Sequence, residues 1–455
     1  MSRADWQSLL DEAAGKYDVP GAVLAIDEGN HTEVFTAGVL SVDTNERVRP
    51  DSMFQIGSIT KVLTASTIMA LVDDGKVALG APVRRYLPTF RTADNEAANG
   101  ITVRQLLCHS SGLDGDFMTD TGCGPDKLAR YVDRCALLPH LFEPGQGFSY
   151  SNSAYTIAGR IIEVATGLEY EAALHRYVFE PLKLSNSTSD IKELPGRSLS
   201  SGHVACPDDP AKQVRVPSLY TLPVSGSPAG STTMMSASDL IAFAKMHLSG
   251  GKNREGEALL SAASVAAMQN IENRVPVPAR GIDAWGLGWF FQDADGVGLI
   301  GHDGGTVGQN AYLRIDRRTE TIGVLYANGG AANDFFLEVF GETFDSIVGC
   351  KTPVAKPIAT EIPENIARFA GKYRNVVGDT VIGVEGNALT RRAFMRFDDT
   401  VIKQPAVEMQ YLGNNDFASR LPNQMFPTST SFREFDAEGR PMSLFSGLRW
   451  QHRVQ

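Results

Sequence analysis

The chain has 455 residues, 43% hydrophobic and 21% charged, a balance that excludes a fibrous or disordered protein. Its net charge of −11 repels phosphate backbones and argues against nucleic-acid binding. The length exceeds what one core ordinarily supports, so two or three domains are expected. The opening segment MSRADWQSLLDEAAGKYDVPG lacks the basic start and apolar core of a secretory leader, and no run reaches the ~18 apolar residues of a membrane helix. Cys108, Cys123, Cys135, Cys206 and Cys350 are odd in number and form no CxxC pair. That pattern suits free thiols in a reducing cytoplasm. The eight histidines show no HExxH and no matching Cys/His spacing, so neither a metal site nor a cofactor is expected.

Residues 6–17 place Trp6, Leu9, Leu10 and Ala13 at helical spacing. Residues 21–42 read as a hairpin turning at Glu28-Gly29-Asn30. A helix is expected from Ser58 to Val72, with Gly75 past its end, and another from Ser153 to Ala165, closed by Gly167. A further helix covers 236–248, with Ser236 or Ser238 as its cap. Strands follow at Gly298 to Gly301, leading into a glycine-rich turn, then at Asn310 to Ile315 and Thr321 to Tyr326; Asp334 to Val348 reads as one closing helix. This order predicts an antiparallel sheet flanked by helices, an α/β (α+β) catalytic domain over 1–350. The proline-rich stretch 351–363 reads as a linker. Residues 364–455 are all strand in texture. TVIGV and ALTRRA form one hairpin, and SFREF with a single return strand MSLFSGLRW forms another. Together they suggest a small antiparallel barrel or sandwich.

A serine hydroxyl attacks poorly until a base takes its proton. Ser58-Ile59-Thr60-Lys61 sets an amine three residues after a hydroxyl, on one helical face. Burial lowers a lysine pKa and frees the amine to act as base. The spacing recurs at Ser189/Lys192 and Ser249/Lys252, but only Ser58 opens an apolar-periodic helix. A helix start also aims N–H groups at a developing oxyanion; the bland reading is that Ser58 merely caps that helix. Tyr150-Ser151-Asn152 supplies a phenol that relays protons and an amide that holds a carbonyl. It recurs at Tyr326-Ala327-Asn328, read as a strand exit, and at Tyr373-Arg374-Asn375 in the C-terminal segment. In Gly301-His302-Asp303-Gly304-Gly305 the glycines let substrate lie against a strand edge, and the Gly305 N–H joins that of Ser58 in an oxyanion hole.

MFQIGSITKVLTA, LLCHSSGL, YSNSAY, PAGSTTMMSASDL and GHDGGTVGQ occur in that order. Together they resemble the class C β-lactamase-like and penicillin-binding-protein-type serine hydrolases. That group holds peptidases of the D-alanyl-D-alanine carboxypeptidase B type, D-aminopeptidases and esterases. The resemblance implies an all-helical subdomain beside the sheet, with the site between them. It makes Ser58 the nucleophile, Lys61 the base, Tyr150 the proton relay and Asn152 the substrate anchor, with His302, Gly304 and Gly305 facing substrate. The C-terminal segment resembles appended lipocalin-like barrels. β-Lactamases carry lysine where this chain has His302, which weakens capture of a carboxylate and leaves the imidazole to orient Tyr150 or to avoid repelling a substrate amine. Cys108 to Gly112 and Asp239 are expected to brace structure. The expected activity is hydrolysis of small amides or esters through an acyl-enzyme, first on peptides containing D-amino acids. A carboxylesterase or acyltransferase is the alternative, and a sensor that acylates without turnover is the rival from another class. The expected partner is a small molecule or short peptide, with no nucleic acid or membrane, and possibly a second copy of the chain.

Overall fold

The computed structural model describes residues 5–454 except 30, 207–208, 210–211, 220–221, 280, 293–295, 297, 350–362, 364, 398–399 and 422–426. The expected linker, apart from residue 363, Cys350 and the Asn30 corner of the first turn lie outside the described residues.

An eight-stranded antiparallel sheet organises the N-terminal part. Its strands are β1 (Gly21–Glu28), β2 (Thr32–Gly38), β3 (Asn273–Ala279), β4 (Ile282–Trp285), β5 (Phe290–Gln292), β6 (Leu299–Thr306), β7 (Gln309–Asp316) and β8 (Thr321–Ala327). They lie in the order β2-β1-β8-β7-β6-β5-β4-β3. The period of two along β1 sends Val23 and Ala25 into one core and Ala22, Leu24 and Ile26 into another. The second core is closed by helices α1 (Trp6–Lys16), α5 (Ala332–Glu342) and α6 (Phe344–Val348). The first holds α2 (Thr60–Asp73), α3 (Asn152–Thr166) and α4 (Ala237–Leu248). Every residue of α2 from Thr60 to Leu71 is buried, which marks it as the central helix of the molecule. Among the described residues no helix is long and apolar enough to cross a membrane.

Three sequence readings shift. The glycine-rich run after Gly301 is strand rather than turn, since β6 continues through Thr306. The closing helix breaks at Thr343 into α5 and α6. Ser236, not Ser238, caps α4, accepting the Asp239 N–H at 3.2 Å.

The C-terminal segment closes into a barrel. Its strands are β9 (Gly371–Asn375), β10 (Gly378–Glu385), β11 (Ala388–Phe397), β12 (Thr400–Lys403), β13 (Val407–Gly413), β14 (Asp416–Ser419), β15 (Thr428–Phe435), β16 (Pro441–Ser446) and β17 (Arg449–Val454). They run β10-β9-β17-β16-β15-β14-β13-β11, and β10 pairs with β11 to complete the ring; β12 lies outside on β11. MSLFSGLRW is therefore not one strand. It is a hairpin turning at Gly447-Leu448, both with positive φ. Phe445, Leu448 and Trp450 of this hairpin pack on Phe148, Tyr150, Trp285 and Phe290 of the N-terminal part. Trp450 Nε1 donates to Phe148 O at 2.9 Å, and Val376, in the turn after β9, donates its N–H to Asp114 at 2.7 Å.

Candidate active site

Ser58 sits in a single 3₁₀ turn, Gly57–Ile59, that runs straight into α2. It makes no capping hydrogen bond to either helix, so capping does not explain it. One turn on, Lys61 is fully buried, with Nζ 3.0 Å from Ser58 Oγ. The amine also donates to Ala229 O at 2.7 Å. Burial drives the Lys61 pKa well below the usual lysine value; Asp116 opposes this and Arg449 reinforces it. A neutral amine that donates to Ala229 turns its lone pair to the serine hydroxyl.

Tyr150 ends the loop before α3, and its phenol lies close enough to Ser58 for the serine to favour its ionised form slightly. Burial raises its pKa, so the phenol keeps its proton near neutrality. Its ring is boxed in. Lys61 Nζ lies 4.9 Å from the ring centroid, His109 stacks at 4.3 Å, and Trp285 meets it edge-on at 5.5 Å. His109 Nδ1 also accepts the Ser151 N–H at 3.0 Å, so the structural reading of Cys108 to Gly112 extends to aiming the tyrosine.

Backbone closes around the serine. A Cβ on Gly304 would sit 1.8 Å from Ile56 O, and one on Gly230 would sit 2.0 Å from Gly57 O. Only glycine admits this approach. It holds the exposed Gly305 beside the Ser58 turn: a Cβ on Gly57 would meet the Gly305 nitrogen at 2.5 Å. That is why the HDGG run is strand, with its glycines pressed on the turn that carries Ser58.

His302 lies deep behind Tyr150. It is 2% exposed, packed near Tyr150, Trp285 and Phe290, and donates Nδ1–H to its neighbour's carbonyl, Asp303 O, at 2.7 Å. Burial first, then Lys61, pulls its pKa down to about 3, so the ring is neutral. Asn152 opens α3 and donates its amide to Asp116. The competing pairs stay apart from this centre. Ser189 bonds Thr232 and Thr233, Ser249 bonds Lys252 O, Asn328 ties down Val39 and Leu40, and Tyr373 lies in the barrel core. Asp239 braces Asn186 and Ser187.

Arg449 is the residue that sequence reasoning missed. The Gly447-Leu448 turn carries it from the barrel to the site, where it pairs with Asp116, one of its contacts at 3.2 Å. Its guanidinium lies 4.9 Å from the Tyr150 ring centroid. Leu448 O accepts the Tyr150 N–H at 2.9 Å, so the same turn holds the tyrosine backbone. The available signal was the small, flexible Ser446-Gly447 step inside an otherwise apolar run. Beside Ser58 opens a small cavity of about 70 Å³, lined mainly by apolar groups including Phe117, Met118, Leu222 and Pro223.

A serine hydroxyl beside a buried amine, with a protonated phenol and a glycine-rich strand pressed on the serine turn, is thus assembled on one mixed helix-and-sheet fold. The beta-lactamase family profile matches residues 6–341, and the chain belongs to that family, whose members are serine hydrolases. It is 38% identical to penicillin-binding protein 4 of Amycolatopsis lactamdurans, over 83% of this chain and 99% of that protein. The crystal structure of SurE superposes with a TM-score of 0.78 at 27% identity, covering 99% of both chains, and SurE with D-Leu gives 0.76 at 26%, again over 99% of both. The D-amino acid amidase of Ochrobactrum anthropi SV3, in complex with L-phenylalanine amide, gives 0.63 at 25%, over 76% of this chain and 99% of the amidase.

Proposed function

We propose that this protein cleaves small amides or esters of short peptides containing D-amino acids through an acyl-enzyme on Ser58. The observation that carries the reading is the buried Lys61 amine 3.0 Å from Ser58 Oγ. In the first half-reaction Lys61 takes the Ser58 proton as the oxygen attacks the scissile carbonyl. The N–H groups of Ser58 and Gly305 receive the oxyanion. Tyr150, beside Ser58, passes a proton to the departing amine or alkoxide and recovers one through Lys61. Water then repeats the sequence on the ester and restores Ser58.

Asn152 anchors the substrate carbonyl, and the apolar cavity takes a small side chain. His302, buried beside the phenol, serves to hold Tyr150 rather than to touch substrate. The D-preference draws support from two neighbours, a D-amino acid amidase and SurE captured with D-Leu. Intact-mass analysis after fluorophosphonate treatment tests the nucleophile: one adduct, mapped to Ser58, is expected, and an adduct elsewhere overturns the assignment. A turnover screen with paired D- and L-amino-acid amides and p-nitrophenyl esters tests the substrate class. Equal rates on both enantiomers, or turnover confined to esters, would move the reading to a carboxylesterase.

A further inference from the structure

The barrel interior is not uniformly apolar. Phe369, Tyr373, Ile382, Leu389, Met409, Phe417, Phe432 and Leu444 form its core. Arg391 stands opposite Ile382, Ser419 opposite Met409, and Gln451 opposite Leu444, so strand register turns all three toward the same interior. Arg391 Nε, Ser419 Oγ and Gln451 Oε1 are buried and, among the described residues, have no hydrogen-bond partner. Burial pulls the Arg391 guanidinium below its usual pKa, and no carboxylate counters it. Each such group weakens a fold that leaves it unsatisfied. A cation and hydroxyl in want of an acceptor, with an amide oxygen in want of a donor, match the two sides of a peptide chain end.

The strand that carries Gln451 also reaches the Ser58 site. Gln451 lies two residues along β17 from Arg449, on the same strand face, and the Arg449 head group meets Asp116 and Tyr150. Val376 and Ser429, at the same end of the barrel, bond Asp114 and Pro278 of the catalytic part.

We propose that the barrel interior is a second binding site, reached from the Ser58 cleft past Arg449, for the carboxylate-bearing far end of a short peptide. The carboxylate accepts from Arg391 and Ser419, and the adjoining peptide N–H donates to Gln451. Its turnover arm rests on the hydrolase reading; its binding arm does not.

The test compares p-nitrophenyl esters of one tripeptide capped with succinyl or acetyl, which differ in the distal carboxylate. Wild type should favour the succinyl ester in kcat/KM on the order of tenfold, the worth of one charged hydrogen bond. Arg391→Met should bring that ratio near one at an equal or higher Tm, because it removes an unsatisfied buried cation. A preserved ratio, or equal losses on both esters with a lower Tm, overturns the proposal. Calorimetry on Ser58→Ala with succinyl- and acetyl-tripeptide amides reads binding without turnover, and equal affinities overturn the second site even if the enzyme cleaves neither ester. Should Arg391→Met fail to fold, Gln451→Leu is read against the same two ligands.

Discussion

Two corners of the cleft are built in opposite ways. Ser58 and Lys61 lie three residues apart, so one turn of backbone sets their geometry and the surrounding core removes water from the amine. Asp116 and Arg449 are 333 residues apart and meet only because a barrel hairpin docks on Phe148 and Trp285. The first corner is local, dry and suited to moving a proton. The second is tertiary, charged and suited to holding a ligand. Bond-making chemistry in this chain is therefore written in short motifs, while selection of what enters is written in the packing of a second unit.

Breaking the local corner gives the largest effect. Ser58→Ala should abolish turnover, and Lys61→Ala should slow it by ~10²- to 10⁴-fold, the range of a positioned base. Steady-state rates with one p-nitrophenyl ester decide this. In wild type the rate should rise with pH as the lysine loses its proton, along a limb set below the ordinary lysine range by burial. A limb at the unperturbed lysine value would remove Lys61 from the base role. Gly304→Ala attacks the same corner from the backbone. Its Cβ would fall 1.8 Å from Ile56 O, so β6 must retreat from the Ser58 turn. Turnover should drop by at least ~10²-fold, since small displacements of reacting groups cost that much, and circular dichroism should still report a folded chain.

The tertiary corner should answer differently. Arg449→Ala should lower kcat/KM by about 10-fold or more, the usual cost of one charged hydrogen bond, and leave fluorophosphonate labelling of Ser58 in place. Arg449→Lys should not restore it, because an ammonium loses the planar fork that faces Asp116 and the flat contact over Tyr150. If labelling falls as far as turnover, Arg449 belongs to the chemistry and the contrast between the corners fails.

The same contrast marks what the sequence revealed. The Ser58 and Tyr150 groups stood out because each rests on a local signal, helical spacing and a loop before a capped helix, whereas Gly304-Gly305 looked like a turn because glycine pairs seldom sit inside a strand. The sheet was legible from the short apolar runs of β1 and β8, and the barrel from its short strands. The choice between substrate and Tyr150 as the partner of His302 was not legible, because a sequence shows the side chain and not the depth at which its strand runs. Arg449 was missed because its one local mark, the Ser446-Gly447 step, is slight and its partner Asp116 lies 333 residues away. LFSGLRW looked like one apolar strand, and the positive φ of Leu448 that folds it back is unusual for leucine. The extra strands β3, β4 and β5 went unread because β4 and β5 have only four and three residues and the register along the three is irregular.

The smallest expected effect tests the join between the two units. Asp114 accepts the Val376 N–H from the barrel, yet burial pushes its carboxyl up to about 7, and nearby Asp116 adds to the shift. A carboxyl raised in the folded state binds its proton more tightly there than in the unfolded chain, where it titrates near 3.8. Folded stability contributed by this group is then full below about pH 4 and declines as pH rises to about 7. The thermal midpoint should fall over that window, and Asp114→Asn should flatten the change. Asparagine keeps an oxygen for Val376 and carries no charge to bury. Melting curves from pH 5 to 8 for the two proteins give the difference directly. An unchanged slope in Asp114→Asn would mean that another group couples barrel docking to pH. A steeper one would mean that the ionised Asp114 holds the barrel more firmly than burial opposes it.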